Sequence, residues 1–194
     1  MTEIWLVRHA QTDWNMERRF QGQSDIPLNE IGRQQARQLA GSLAAAGKAF
    51  QAVYSSPLSR AMQTANAVAE RLNLPLQAEP RIREANLGEW EGMLAEEIPL
   101  RYPDLVEARR RDPFNVPPPG EQAENVASIA GRASQAMDAI SRHHNGQPVL
   151  VVTHGLVIAT LVCLNRQIAF EEVFQQIPHN AQPVVLHWSA AGSV

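Results

Sequence analysis

The sequence predicts an α/β fold, a three-layer sandwich with a mostly parallel central sheet and helices on both faces. Three observations predict it. Ile4-Trp5-Leu6-Val7 and Val149-Leu150-Val151-Val152 are apolar at consecutive positions, as expected of strands covered on both faces. Between such runs, apolar residues recur at three- and four-residue steps, the period of a helix with one buried face. Alternation of the two patterns along the chain favours parallel strands joined by helical crossovers.

Taken in order, the first strand covers residues 4–7. Leu28, Ile31, Gln35, Leu39 and Leu43 mark the first long helix, with Asn29 as N-cap and Gly47 as its stop. A short strand at 52–54 precedes a helix marked by Leu58, Met62, Ala65, Val68 and Leu72, with Pro57 suited to its first turn. Residues 74–76 form a weaker strand. From about 92 to 122 the rhythm breaks: this stretch holds Arg109-Arg110-Arg111-Asp112 and Pro117-Pro118-Pro119-Gly120, and reads as a helical insert over one edge of the sheet. Val126, Ile129, Ala133, Met137 and Ile140 give another helix, closed by His143-His144 near its negative dipole end. The strand at 149–152 runs into an apolar helical stretch ending near Leu164, and 184–186 is a fifth strand. The reading is one domain spanning 1–194.

Composition excludes several classes. The chain has 194 residues, 44% of them hydrophobic, enough to bury a sizeable core. A net charge of −3 argues against a dedicated nucleic-acid binder, which needs a basic excess. No apolar run approaches the roughly 18 residues of a membrane span, and Glu3 and Arg8 interrupt the first one, so a cytoplasmic protein is expected. The single Cys163 rules out an internal disulfide and a multi-cysteine metal site; it reads as a small buried hydrophobe. The 17 basic residues are 16 Arg and Lys48, a ratio that reflects composition before function.

In open parallel sheets ligands collect beyond the carboxyl ends of the strands. Arg8 and His9 follow the first strand there, Thr153-His154-Gly155 follow the 149–152 strand, Ser55 to Arg60 follow the 52–54 strand, and Arg81 to Glu84 follow the 74–76 strand. Two His, several Arg and one Glu thus converge on one rim. Nearby helix N-termini add unpaired N–H groups that favour an anion. The set reads as a pocket for a phosphoryl group that requires no metal.

These residues carry a resemblance. Val7-Arg8-His9-Ala10-Gln11-Thr12-Asp13-Trp14-Asn15 resembles the signature that opens the histidine phosphatase (phosphoglycerate-mutase-like) superfamily. It continues through Arg19-Phe20-Gln21-Gly22, Asp25-Ile26-Pro27-Leu28, Ser55 to Ala65, Arg83 to Gly92 and Val152-Thr153-His154-Gly155, spanning nearly the whole chain in order. The resemblance implies that His9 is a nucleophile forming a phosphohistidine. It implies that Arg8, Arg60 and His154 hold the phosphoryl oxygens, and that Glu84 serves as general acid and then base. Thr12, Asn15, Gln21 and Gly22 would line the pocket, and the insert would lie over the active site. No cofactor and no metal are implied. The expected partner is a small phosphorylated metabolite, with no nucleic acid or membrane, and a homodimer is left open.

One position departs from the family: the residue after the nucleophile is usually Gly, and here it is Ala10. With ordinary β-region backbone the extra methyl is harmless, and that is the expectation. The stretch from Glu84 to Gly92 looks more like the small phosphatase branch, similar to broad-specificity and α-ribazole phosphatases, than like mutases, which carry a Tyr shortly after the acid Glu. Phosphomonoester hydrolysis is therefore the first reading. Mutase-type phosphoryl transfer is the second, and a catalytically silent phosphate-ligand binder the third. Arg109, Arg110 and Arg111 read first as a solvated helix face and second as groups that could reach a substrate carboxylate. Arg81 and Arg83 are left unassigned, Glu89 and Glu91 read as surface residues with substitution for Glu84 as their second reading, Trp90 as packing, and His179 and His187 as structural.

Overall fold

The computed structural model describes residues 1–190. In chain order it comprises β1 (Thr2–Arg8), α1 (Asp13–Met16), α2 (Glu30–Ala45), β2 (Val53–Ser55), α3 (Ser59–Leu72), β3 (Leu76–Ala78), α4 (Glu97–Arg101), α5 (Pro103–Arg111), α6 (Val126–His144), β4 (Val149–Thr153), α7 (Gly155–Arg166) and β5 (Pro183–Trp188). Short 3-10 segments cover Pro80–Ile82, Gly88–Trp90 and Phe170–Gln176. The strands form one sheet in the order β3-β2-β4-β1-β5, parallel except for β5, which runs antiparallel along the β1 edge.

Two cores flank this sheet and make the three layers. Ile4, Leu6, Val149 and Val151 face α6 and α7, meeting Ile129, Ala133, Met137, Ile158 and Leu161. Val7, Val53, Leu150 and Val152 face the other way, onto Leu39 and Leu43 of α2 and Ala61, Ala65 and Val68 of α3. Adjacent residues of β1 and β4 thus serve opposite layers, which is why their sequences are unbroken apolar runs. Each fully buried aliphatic side chain stabilises the fold by roughly 1.5–3 kcal/mol.

Several elements differ from the sequence reading. The strand expected at 74–76 is displaced to Leu76–Ala78. Asn73 ends α3 in the left-handed conformation, and the Leu74 N–H bonds back to the Ala69 carbonyl at 3.0 Å, so residues 73–75 are the helix exit. Pro57 lies before Leu58, the N-cap of α3, and not within its first turn. Ile31, expected on the buried face of α2, is 49% exposed, whereas Asn29 caps that helix through Gly32 N–H as anticipated. A side chain at Gly32 would collide with the Gln11 carbonyl, so this glycine lets the loop after β1 rest on α2. The 92–122 stretch supplies α4 and α5, which wall a cavity at the carboxyl ends of the strands. Among the described residues no helix is long and apolar enough to cross a membrane.

Candidate active site

Register places the centre of the site. β1 and β4 are adjacent and pair Arg8 with Thr153, so His9 and His154 emerge side by side, ring centroids 5.2 Å apart. The His9 N–H bonds to the Thr153 carbonyl at 2.9 Å, and Asn180 Nδ2 donates to the His9 carbonyl at 2.8 Å. On its ring, Nδ1 lies 2.7 Å from the Ala10 carbonyl. A carbonyl only accepts, so Nδ1 carries the proton and Nε2 keeps its lone pair toward the cavity. Burial, then the charges of Arg60 and Arg8, hold the His9 pKa well below 6.5, so the imidazole is neutral at neutral pH.

Arg60, in the first turn of α3, is fully buried. Its Nη1 and Nη2 each donate at 2.7 Å to the Ser24 and Gly22 carbonyls, which leaves Nε without a protein partner. Arg8 is built likewise: Nη1 donates to the Pro178 carbonyl at 2.8 Å and Nε is unpartnered. Burial lowers the pKa of both, yet a guanidinium remains charged. Gly155 lets Ile177 pack closely, since a Cβ there would lie 2.9 Å from Ile177 Cγ2, while it would only touch Arg8 Nε at 3.4 Å. Gly22 adopts φ +50°, and a Cβ would strike Glu91, so only glycine presents its carbonyl to Arg60 here.

His154, the N-cap of α7, is fully buried, and Nε2 lies 2.7 Å from Ser56 Oγ. Ser56 Oγ also accepts from Leu58 N–H at 3.4 Å, which holds the serine against the ring, while His154 Nδ1 has no protein partner. Burial, then Arg60, keeps this histidine neutral as well. Glu84 follows the Pro80–Ile82 turn; Oε1 accepts from Ala85 N–H at 2.9 Å, and Oε2 lies 3.4 Å from Leu156 N–H in the first turn of α7. The α3 start is occupied by Asp25, whose carboxylate accepts from Ser59 N–H and Oγ at 2.7 Å.

Arg8, His9, Asn15, Gln21, Gly22, Arg60 and Glu84 line one cavity of about 690 Å³. Thr12 and His154 are not among its lining residues. Thr12 instead caps α1 in a reciprocal box with Asn15 and donates to Gln21 Oε1 at 3.0 Å, so it positions the two polar residues that do face the cavity. Ala10 is buried and not among the residues with positive φ, and its N–H donates to Thr64 Oγ1, so its methyl is accommodated without strain.

Sequence reasoning missed four supports. Glu91, read as a surface residue, accepts from Gln23 N–H, Ser24 N–H and Oγ, and Leu87 N–H, fixing the loop that holds Arg60. Arg132 of α6 donates to the Arg81, Arg83 and Glu84 carbonyls and pairs with Glu124, fixing the segment that carries Glu84. Asn180 secures His9, and Ser56 orients His154. Only Glu91 and Ser56 sat inside stretches the sequence had flagged. His144, read as a dipole partner, also meets the Tyr54 hydroxyl at 2.8 Å.

A neutral imidazole with a free lone pair, between two guanidinium groups and beside a carboxyl group, can attack a phosphorus whose oxygens those cations hold. Comparison with known proteins agrees with that chemistry. Residues 4–194 match the family model of the histidine phosphatase superfamily (branch 1). Phosphoserine phosphatase 1 of Hydrogenobacter thermophilus is 34% identical over 96% of this chain and 87% of its own length. Phosphoglycerate mutase-like protein 4 of Arabidopsis thaliana is 37% identical over 82% of this chain and 69% of its own. A mycobacterial glucosyl-3-phosphoglycerate phosphatase, solved in complex with VO3, superposes with a TM-score of 0.85 at 29% identity, covering 97% of this chain and 93% of the other. With its family model matched from strand β1 onward and its relatives aligned over most of both lengths, the chain belongs to the histidine phosphatase superfamily, branch 1, as a phosphatase.

Proposed function

We propose that His9 carries the phosphoryl group in the hydrolysis of a small phosphorylated metabolite, in the cytoplasm. The observation that carries the reading is the neutral His9 ring, its Nδ1 proton held by Ala10 and its Nε2 free between Arg8 and Arg60. In the first step Nε2 bonds to phosphorus and the P–O bond to the leaving group breaks. Glu84 gives its proton to the departing alkoxide, releasing the alcohol. The ring now bears positive charge, which the Nδ1–H bond to the Ala10 carbonyl stabilises. In the second step water attacks phosphorus, Glu84 takes the water proton, and the P–N bond breaks to return neutral His9 and inorganic phosphate.

Arg8 and Arg60 act in both steps through the nitrogens not committed to backbone carbonyls. Because those carbonyls fix the guanidinium planes beforehand, little reorganisation accompanies the growth of charge on the phosphoryl oxygens. His154, its ring 5.2 Å from that of His9 and its Nε2 on Ser56, backs the nucleophile from behind the cavity wall. The test is rapid alkaline quenching during turnover of p-nitrophenyl phosphate, followed by peptide mass spectrometry. Phosphate on His9 is the expected result; a label on any other side chain overturns the assignment.

A further inference from the structure

Glu84 has to stand beside the leaving-group oxygen when it gives up its proton, yet residues 83–87, which carry it, form no helix or strand. Its own side chain fixes little: Oε1 accepts from the adjacent Ala85 N–H, and Oε2 lies 3.4 Å from Leu156 N–H. The backbone groups of such a segment need partners once they leave water. One side chain supplies most of them. Arg132, on α6, donates through Nη1 to the Arg81 and Arg83 carbonyls at 2.8 and 2.6 Å, and through Nη2 to the Glu84 carbonyl at 3.1 Å. Gln23 Nε2 is a second donor to that carbonyl, also at 3.1 Å.

The other edge of the Arg132 fork is committed as well. Nε and Nη2 meet Glu124 Oε1 and Oε2 at 2.8 and 3.0 Å, a bidentate pair. Glu124 Oε2 accepts in turn from Asn86 N–H at 2.9 Å, and the Glu124 N–H donates to the Asn86 carbonyl at 2.9 Å. The pair therefore grips the chain on both sides of Glu84. Neither Arg132 nor Glu124 lines the cavity, so an effect of either on the reaction passes through Glu84. Two other supports do not depend on the pair: Ile129, Ala133 and Met137 hold α6 in the core, and Glu91 fastens the loop that holds Arg60.

We propose that Arg132, locked by Glu124, is a positioning residue for proton transfer: it sets where the Glu84 carboxyl stands relative to the leaving-group oxygen. Phosphoryl capture by Arg8 and Arg60 does not depend on it. This rests on the acid role of Glu84 proposed above. The test measures kcat/KM, which reports formation of the phosphoenzyme, for p-nitrophenyl, phenyl, benzyl and propyl phosphate, a series of increasingly poor leaving groups. Wild-type protein is compared with Arg132→Met, Arg132→Lys, Glu84→Gln and the doubly substituted Arg132→Met, Glu84→Gln. Circular dichroism and thermal melting check the fold, and vanadate inhibition checks the phosphoryl end.

Arg132→Met lowers kcat/KM for propyl phosphate by roughly 10- to 100-fold and for p-nitrophenyl phosphate by no more than about 3-fold. Vanadate inhibition stays within about 2-fold of the wild type. Arg132→Lys keeps the charge beside Glu124 but lacks the fork that reaches three carbonyls, so it loses less, in the same order of esters. It carries the test alone if Arg132→Met does not fold. In the Glu84→Gln background, Arg132→Met adds no loss that depends on the leaving group. The proposal is overturned if Arg132 variants slow all four esters equally or none, or if their leaving-group dependence persists without Glu84. Equal losses for Glu84→Gln itself overturn the acid role and this proposal with it. A leaving-group-dependent Glu84→Gln beside an unselective Arg132→Met overturns this proposal alone.

Discussion

The two ends of the cavity are built on different principles. At the inner end the functional side chains are held by backbone groups: Arg60 by the Gly22 and Ser24 carbonyls, Arg8 by that of Pro178, and the His9 ring by that of Ala10, with the His9 N–H itself on Thr153. At the outer end the cavity-lining Arg109 of α5 is gripped only by the faces of Trp90 and Phe174, which fix a plane and no direction. Bond making tolerates errors of only about 0.5 Å, so it needs the first kind of support. Accommodating a substrate body needs shape, which the second kind provides.

The largest effect expected tests whether the ends are separable. His9→Ala lowers kcat/KM by at least about 10⁴-fold for every ester, whatever its body, with the thermal melt still cooperative. Steady-state assays on p-nitrophenyl phosphate and on alkyl phosphates check this. A loss that varied strongly with the substrate body would merge the two regions. Next in size, Glu84→Gln slows alkyl phosphates by roughly 10²–10⁴-fold, while p-nitrophenyl phosphate, whose leaving group departs without a proton, loses far less. Equal losses on both would strip Glu84 of its acid role.

The smallest effect is on stability, and of the two ends of the cavity only the inner one contributes to it, beside a smaller share from half-buried His144. His9 and His154 stay neutral when folded because burial holds their pKa well below 6.5, whereas in the unfolded chain they protonate as pH falls through 6.5. The unfolded state therefore binds more protons in that window, and stability drops with falling pH by about 1.4 kcal/mol per unit for each histidine. Arg109, which burial brings down to about 10, keeps its charge throughout and adds nothing. Urea unfolding between about pH 6 and pH 5 measures the slope, and His9→Ala reduces it by about 1.4 kcal/mol per unit. An unchanged slope in that variant means that His9 is protonated in the folded state.

Legibility follows the same division. The inner end was readable because its residues stand at strand ends next to apolar runs and inside contiguous motifs: Arg8-His9, Ser56 to Arg60 and Thr153-His154. What escaped were residues whose meaning lies in a remote partner. Asn180 holds a carbonyl 171 positions earlier, and Arg132 reaches three carbonyls about 50 positions back. A lone Asn, or an Arg on a helix flank, has no local pattern to betray this. Arg109 was hidden by its neighbours, since three consecutive arginines at a helix end read alike and only packing against Trp90 and Phe174 separates them. The shift of β3 has a local cause: the exit of α3 claims the backbone groups of residues 73–75 that the apolar pattern had given to the strand.

The segment just before β5 closes over the start of the chain: Pro178 accepts from Arg8, Asn180 holds the His9 carbonyl, and Ala181 N–H bonds to the Arg8 carbonyl. During synthesis, therefore, the reactive histidine is made about 170 residues ahead of the segment that completes its surroundings. Until that segment docks, Arg8 lacks the carbonyl that fixes its guanidinium and His9 the amide that holds its backbone, so the centre assembles only when the two distant segments meet.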